Sequence, residues 1–276
     1  MTGSNQDFSS TKGSKKNTIQ GAQAFHRAIT LLKLIANNNQ KGMRLVDVAY
    51  LTGLTIPTTH RLLQALVAEK LLYKIENSNL YAIGALVYEL GFTAKSRFNV
   101  LQVCTPIIEL LARKTSAAAL LHIKSDDDVI CLVKAEGGSE QVNSSSYAGG
   151  RSPLGACAAG VALLSALPLN VRQEIIQRNA PQYGSYLNKD ASRINACCEI
   201  AQTNGYALIP DALHIRTLGV AVPVLNHQNE SVASVSVLLT DSDELDNKYK
   251  SVLPNLKNAA SDITLLMGGK NSLWEL

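Results

Sequence analysis

No two of the five cysteines are spaced as C-x-x-C, and the five histidines stand singly, at positions 26, 60, 122, 214 and 227. A zinc site needs closely spaced Cys or His ligands, so no metal spacing is present and no cofactor is expected. The cysteines, at 104, 131, 157, 197 and 198, are odd in number, which predicts reduced, mostly buried thiols in a cytoplasmic protein rather than a disulfide framework. The chain opens on no charged-then-apolar leader, and no uninterrupted apolar run approaches membrane-spanning length. The longest uncharged candidate, Gly155–Leu169, reads as a core helix with its flanking loop. No internal repeat is present. Neither a G-x-S-x-G elbow nor a catalytic cysteine motif occurs. Gly155 to Gly160 spells G-x-x-x-x-G, but Val161 stands where a phosphate loop requires lysine, which argues against a nucleotide site.

What the chain does have is an uneven charge. The 276 residues carry a net charge of +4. Residues 1–100 hold 12 Lys and Arg against 5 Asp and Glu, and residues 101–276 hold 14 against 17. A basic first third on an acidic remainder fits a DNA-binding module joined to a sensor. The length allows two domains. Residues 1–17 are rich in Ser, Lys, Asn and Gly and bury no core; they read as a solvated tail or a weak arm for phosphates.

The stretch Arg44–Leu72 carries the most information. Val46, Ala49 and Leu51 suggest an apolar stripe on a first helix. Thr52-Gly53-Leu54 breaks the pattern, with Gly53 free to take the positive φ of a sharp turn. Thr55 stands where a cap belongs, and Pro57 falls in the first turn of a second helix. On that helix Leu62, Leu63, Leu66 and Val67 share one side with Thr59. Pro57, Thr58, Arg61 and Gln64 point the other way, with His60 at the border. Such a polar face suits a DNA groove, because Thr, Arg and Gln hydrogen-bond bases and phosphates. A plain helical hairpin with a solvated face is the alternative. The β-prone runs 71–75 and 80–83, separated by Glu76-Asn77-Ser78-Asn79, then predict the hairpin of a winged helix-turn-helix. Upstream, Ala28, Leu31, Leu32 and Ile35 mark a supporting helix ended by Asn37-Asn38-Asn39. Downstream, a helix over 86–99 is anchored by Leu86, Leu90 and Phe98.

Through FHRAITLLKLI, TGLTIPTTHRLLQALVAEKLL and YAIGALVYELG, residues 24–91 resemble the DNA-binding half of the isocitrate lyase regulator (IclR) family. PLGACAAGVALLSALP and GYALIPDALHIRTLGVAVPV resemble that family's effector-binding domain. The likeness covers about nine-tenths of the chain and keeps the family's motif order. It implies an α+β architecture, in which a winged helix-turn-helix is joined by a linker helix to a GAF-like antiparallel-sheet domain. The expected limits are a disordered tail over 1–20, the DNA-binding domain over 21–84, the linker over 85–102 and the sensor over 103–270.

Beyond position 104 helices and strands alternate: a helix at 106–114, strands at 120–124 and 129–134, and helices at 155–167, 171–179 and 193–204. Strands follow at 206–209, 218–224 and 232–239, and a last helix runs near 243–267. Asp126-Asp127-Asp128 reads as a solvated hairpin tip rather than a metal site. The loop 136–150 is long enough to border a binding site. Three stretches can build a pocket. The first is the small-residue helix start after Arg151-Ser152-Pro153-Leu154, where free N–H groups attract anions. The second is the crossing loop 211–218, with Asp211, His214 and Arg216. The third is strand 232–239, where Ser234 and Ser236 share a face opposite Val235 and Val237, as a cavity floor or a solvent face.

The family resemblance adds roles. It implies an effector site at Gly155, Ala158, Ala159, Gly160, Asp211, Gly219, Ser234 and Ser236, with backbone donors at Ala158 and Ala159. On the helix-turn-helix and the wing, the candidate DNA contacts are Arg44, Thr55, Thr58, Thr59, His60, Arg61, Gln64 and Lys74. This chain departs from better-known members in having Gly219 and Leu238 where polar or thiol side chains can stand. The expected function is a ligand-responsive transcription factor, not an enzyme. It would bind double-stranded operator DNA as a homodimer or tetramer and control a catabolic operon in response to a small carboxylate, with no membrane contact. Two rival readings remain at this level. One is a hydrolase or thiol enzyme using Ser236, His214, Asp211 or Cys157; the other is a winged helix used for protein contacts.

Overall fold

A computed structural model describes residues 22–39, 41–94, 100–138, 147–184, 186, 190–210, 217–226, 228–240 and 245–266. The chain divides into two compact units between Ala94 and Lys95.

In the first unit, α1 (Gln23–Asn37), α2 (Leu45–Thr52) and α3 (Ile56–Ala68) pack around Leu31, Ile35, Val48, Leu63 and Leu66. Asn39 ends α1 and reaches across: its Oδ1 accepts the Ile83 N–H at 2.8 Å. Gly53 closes α2 at φ 67°, as a left-handed cap does. Strands β1 (Met43–Arg44), β2 (Leu72–Lys74) and β3 (Leu80–Ile83) form a sheet in the order β1-β3-β2. The β2–β3 hairpin is the expected wing. The two-residue β1, too short to signal itself, pins the start of α2 to it through Met43 opposite Tyr81.

The expected stripe on α2 is corrected. Val46 and Leu51 are more than half exposed, and Val48 and Ala49 are the buried pair. In a segment this short and this apolar, spacing alone cannot choose a face. α4 (Ala85–Ala94) follows the wing, but Leu90 is exposed rather than an anchor, and Phe98 lies outside the described residues.

The second unit is a six-stranded antiparallel sheet in the order β6-β5-β4-β9-β8-β7. Its strands are β4 (Ala118–Ser125), β5 (Asp128–Ala135), β6 (Arg151–Pro153), β7 (Ala207–Pro210), β8 (Thr217–Leu225) and β9 (Ser231–Thr240). β6 was not foreseen; it falls just past the expected loop 136–150, in the lead-in to the small-residue helix. α5 (Val100–Thr115) starts earlier than expected and joins α9 (Leu245–Leu266) over one face of the sheet. Between them and the sheet lie Val220, Val222, Val235, Val237 and Leu239. The other face carries α6 (Ala158–Ser165), with α7 (Leu169–Tyr183) and α8 (Ala191–Asn204) outside it. β8 and β9 are therefore buried on both faces; β8 runs apolar from Leu218 to Leu225, whereas β9 carries Ser234 and Ser236 among its buried residues.

All eight residues of α6 are buried. That requires small side chains at every approach. A Cβ on Gly160 would stand 2.7 Å from the Gly155 nitrogen and 3.3 Å from the Leu154 Cα, both backbone atoms with little room to move. Gly160→Ala is therefore expected to destabilise the second unit by about 1–3 kcal/mol, the range for forcing a methyl into a packed core. Chemical denaturation followed by circular dichroism measures it; an unchanged midpoint would show that α6 can shift freely.

Candidate functional site

The DNA-reading face is built by the turn between α2 and α3. Thr55 occupies the cap position of α3, but its Oγ1 donates to Thr58 Oγ1 at 2.9 Å and makes no bond to the helix backbone. Pro57 sits in the first turn, as expected. Arg44, Thr55, His60, Arg61, Gln64 and Lys74 are exposed and Thr58 is half-buried. Thr59 is a correction. It has no exposed surface, and its Oγ1 donates to the Thr55 carbonyl at 3.0 Å. It belongs to the core side that its helical spacing with Leu63 and Leu66 indicated, so it presents nothing to a groove. Lys74 is the one basic residue between Leu72 and Ile83.

In the second unit, Ala158 and Ala159 lie against the sheet. Cys157 caps α6 with extended backbone, leaving the first N–H groups of the helix, from Ala158 to Gly160, without intrahelical acceptors. Gly219 lies directly beneath: a Cβ there would be 2.9 Å from the Ala158 Cβ. The methyl of Ala158 thus fills the space that a side chain at 219 would take. Ser234 and Ser236 share one sheet face, as expected, and that face is not solvated, because both residues are buried beneath α6. Ser234 Oγ donates to the Ala159 carbonyl at 3.3 Å and ties the helix to β9. The Ser236 hydroxyl has no hydrogen-bond partner among the described residues.

Gly155 and Gly160 do not join that floor. At Gly155, φ +97°, a Cβ would meet Ile194 and the Tyr183 hydroxyl at 2.8 and 2.9 Å, so its missing side chain makes room for α7 and α8. Leu238 packs with Ala118, Leu120 and Cys131, an apolar patch beside Ser236. Asp211, His214 and Arg216 lie outside the described residues.

Of the Asp triplet, Asp126 is exposed, as at a solvated tip, while Asp127 and Asp128 are engaged by side chains. Asp127 holds Arg178 of α7 through two 2.8 Å hydrogen bonds, and Asp128 holds Arg151 at 2.7 Å. The Asp127 carbonyl accepts from Asn179 and from the Leu154 N–H, and Tyr183 donates to the Leu154 carbonyl at 2.6 Å. The loop that leads into α6 is clamped by this hub. All five cysteines are free thiols, and burial pushes Cys131 and Cys198 up to about 12.

One residue of this face was missed by sequence. His122 stands opposite Ser234 in the β4–β9 register and opposite Cys131 on β5, beside a bulge that leaves Leu132 without a partner. It is buried, and its Nδ1 has no hydrogen-bond partner among the described residues. A lone histidine in an apolar strand carries no spacing signal, and the bulge that orients it is invisible in sequence.

A family model described as the IclR helix-turn-helix domain matches residues 24–76, and one described as the bacterial transcriptional regulator IclR C-terminal region matches residues 92–265. The chain belongs to the IclR family of transcriptional regulators. Among its IclR relatives, the HTH-type transcriptional regulator KipR of Bacillus subtilis is 24% identical over 243 residues, 88% of this chain and 96% of the relative. The transcriptional repressor IclR of Escherichia coli is 25% identical over 253 residues, 90% of each. The crystal structure of an IclR homolog complexed with 4-hydroxybenzoate, from Microbacterium hydrocarbonoxydans, has 20% identity and a TM-score of 0.67. It covers 88% of this chain and 98% of that one, a likeness of fold. As an IclR regulator the protein has a DNA-binding N-terminal unit and an effector-binding C-terminal unit, and the enzyme readings fall away.

Burial holds the His122 imidazole down to about 4 from an ordinary 6.5. Below pH 6.5 the unfolded chain takes up a proton that the fold refuses until about pH 4. The stability that neutral His122 permits is therefore fully present above that range and lost as pH falls through it, by about 1.4 kcal/mol per pH unit. Melting curves at about pH 7 and about pH 5 should show a larger fall for the wild type than for His122→Leu. Equal falls would mean that His122 is protonated inside the fold.

Proposed function

We propose that this protein is a cytoplasmic regulator that binds operator DNA as a dimer or tetramer and responds to a small carboxylate, controlling a catabolic operon. The observation that supports the effector reading is the pairing of an N-terminal helix end with the free hydroxyl of Ser236. Donor N–H groups at Ala158, Ala159 and Gly160 carry the positive end of the helix dipole and favour an anion. Ser236 then donates to or accepts from the ligand's other end, next to the apolar side chains of Leu120 and Leu238. The 4-hydroxybenzoate bound by the Microbacterium homolog has the same two features, a carboxylate and a hydroxyl on an apolar body. Gly219 contributes space rather than contact. Ser234, already bonded to Ala159, holds the helix in place. Asp211 accepts a hydrogen bond from a ligand hydroxyl or orients Arg216.

On the DNA side, Arg61 and Gln64 are set one turn apart on the exposed face of α3, flanked by His60 and the Thr55–Thr58 pair. Arg44 and Lys74 bracket them from β1 and the wing. Two such reading heads match a pseudo-palindromic operator, which an assembly of two or more copies supplies.

Arg61→Ala is expected to weaken operator binding by about 1–3 kcal/mol, and Lys74→Ala by under about 1 kcal/mol, because one rim phosphate contact carries little sequence information. Gel-shift titration at fixed salt measures both. An unchanged affinity in a folded Arg61→Ala variant removes that residue from the interface. For the sensor, Ser236→Ala should leave DNA binding without ligand intact and shift the effector response to roughly tenfold higher concentration, the loss of one hydrogen bond to a charged ligand. Calorimetry against hydroxy-, keto- and aromatic acids supplies the ligand. Binding of a neutral or cationic metabolite in place of every acid would refute the anion pocket.

A further inference from the structure

The far end of α6 opens into a second recess. Two adjoining hollows, of about 300 and 710 Å³, share Ala166, Gln202 and Asn229, and neither is lined by Ala158, Gly219 or Ser236. They lie where α6 and α8 both end, under the turn between β8 and β9. β7 pairs with β8 only as far as Ala221, so Pro223 forms part of the wall from an open strand edge, where its missing N–H costs nothing.

Two buried polar atoms, one lining this recess and one on the residue behind Gln202, have no hydrogen-bond partner among the described residues. Ser231 lines it with 3% of its surface exposed, and its Oγ has no hydrogen-bond partner among the described residues. Directly behind Gln202 lies Arg172 of α7, also 3% exposed. Its Nη1 donates to Gln202 Oε1 over a long 3.3 Å, and its Nε has no acceptor. Among the described residues no carboxylate lies within ion-pair distance of it. A guanidinium cannot shed its proton, and a buried charge answered only by one stretched amide contact is poorly compensated. A carboxylate arriving in place of the Gln202 amide would meet Nη1 and Nη2 end on, as a bidentate pair, and answer the guanidinium charge with a charge.

The rest of the wall carries both signs. Ala166 and Gly205 mark the C-terminal ends of α6 and α8, where backbone carbonyls present partial negative charge. Asp126 and Glu230 line the larger hollow together with Lys124, and Lys257 lines the smaller. The carbonyl ends and the two carboxylates offer partners to an ammonium, and the two lysines keep the wall from being uniformly negative. One small molecule satisfies both: a carboxylate for Arg172 and an ammonium for the carbonyl ends and the two carboxylates.

We propose that this recess is a second ligand site, at the end of α6 opposite the Ser236 pocket, and that it takes an amino acid or a zwitterion of that size. Gln202 occupies the carboxylate position when the site is empty and swings aside on binding, with Ser231 hydrogen-bonding the ligand from the β9 wall. The volumes match those of small-molecule sites.

Calorimetry on the full chain with pools of L-amino acids, against propionate and n-butylamine, tests this. An amino acid should bind, with each singly charged control roughly tenfold weaker or worse. Arg172→Met should lose roughly tenfold or more in affinity while melting no lower than wild type, since it removes a stranded charge. Gln202→Glu places a carboxylate on Arg172 from within the fold. It should raise the melting temperature and block the amino acid, and it tests the site even if Arg172→Met folds poorly. Gln202→Ala should bind as tightly as wild type or more so. Ser236→Ala should leave this affinity unchanged, which separates the site from the effector pocket. The proposal is overturned if no L-amino acid binds, if propionate binds equally well, or if binding survives Gln202→Glu. It is also overturned if Ser236→Ala abolishes binding, which would place the amino acid in the other pocket.

Discussion

The sensor depends on burying one short helix that has no polar side. α6 lies between a sheet and two further helices, and only small residues permit it. Gly219 admits Ala158, Gly160 admits the backbone at Gly155, and Gly155 admits Tyr183 and Ile194. Close backbone approach exposes both helix ends to the interior, where unpaired N–H and carbonyl groups are costly unless something meets them. At one end the first N–H groups of α6 lack intrahelical acceptors; at the other, Ala166 ends the helix in the recess that Gln202 also lines. The chemistry of the domain follows from how this helix is seated.

The seating is held by polar contacts that lie off the sheet. Asp127 receives Arg178 through a two-point pair, and its carbonyl takes the Asn179 amide and the Leu154 N–H. The Leu154 carbonyl in turn accepts Tyr183 at 2.6 Å. The exposed part of this set adds little stability, since surface ion pairs are screened. Its buried hydrogen bonds fix where the chain enters α6. Ser234 then fastens the first turn to β9 from below. A helix fixed at one end and packed along its length transmits a shift at either end to the other.

Much of this was legible in the residues and some was not. α3 declared itself because Leu63 and Leu66 repeat at helical spacing against Arg61 and Gln64, and Gly53 marked the turn. The same spacing placed Thr59 on the inner side, so counting it among the DNA contacts went against the periodicity. α2 failed because Val46, Val48, Ala49 and Leu51 offer no polar contrast. In β9 the alternation put Ser234 and Ser236 on one face opposite Val235 and Val237, yet alternation alone cannot choose between a cavity floor and a solvated face. His122 and Arg172 left no trace at all. Both matter because of what surrounds them in three dimensions, and β1 and β6, at two and three residues, fall below the length at which any pattern forms.

The shared space between Ala158 and Gly219 has an evolutionary consequence. With only 2.9 Å available between their Cβ positions, the two sites behave as one residue divided between a helix and a strand. A thiol or hydroxyl gained at 219 must be matched by a loss at 158, or α6 lifts from the sheet and takes its donors with it. Ligand preference in this lineage is therefore expected to change by paired exchange across that gap, with single replacements passing through a weakened intermediate.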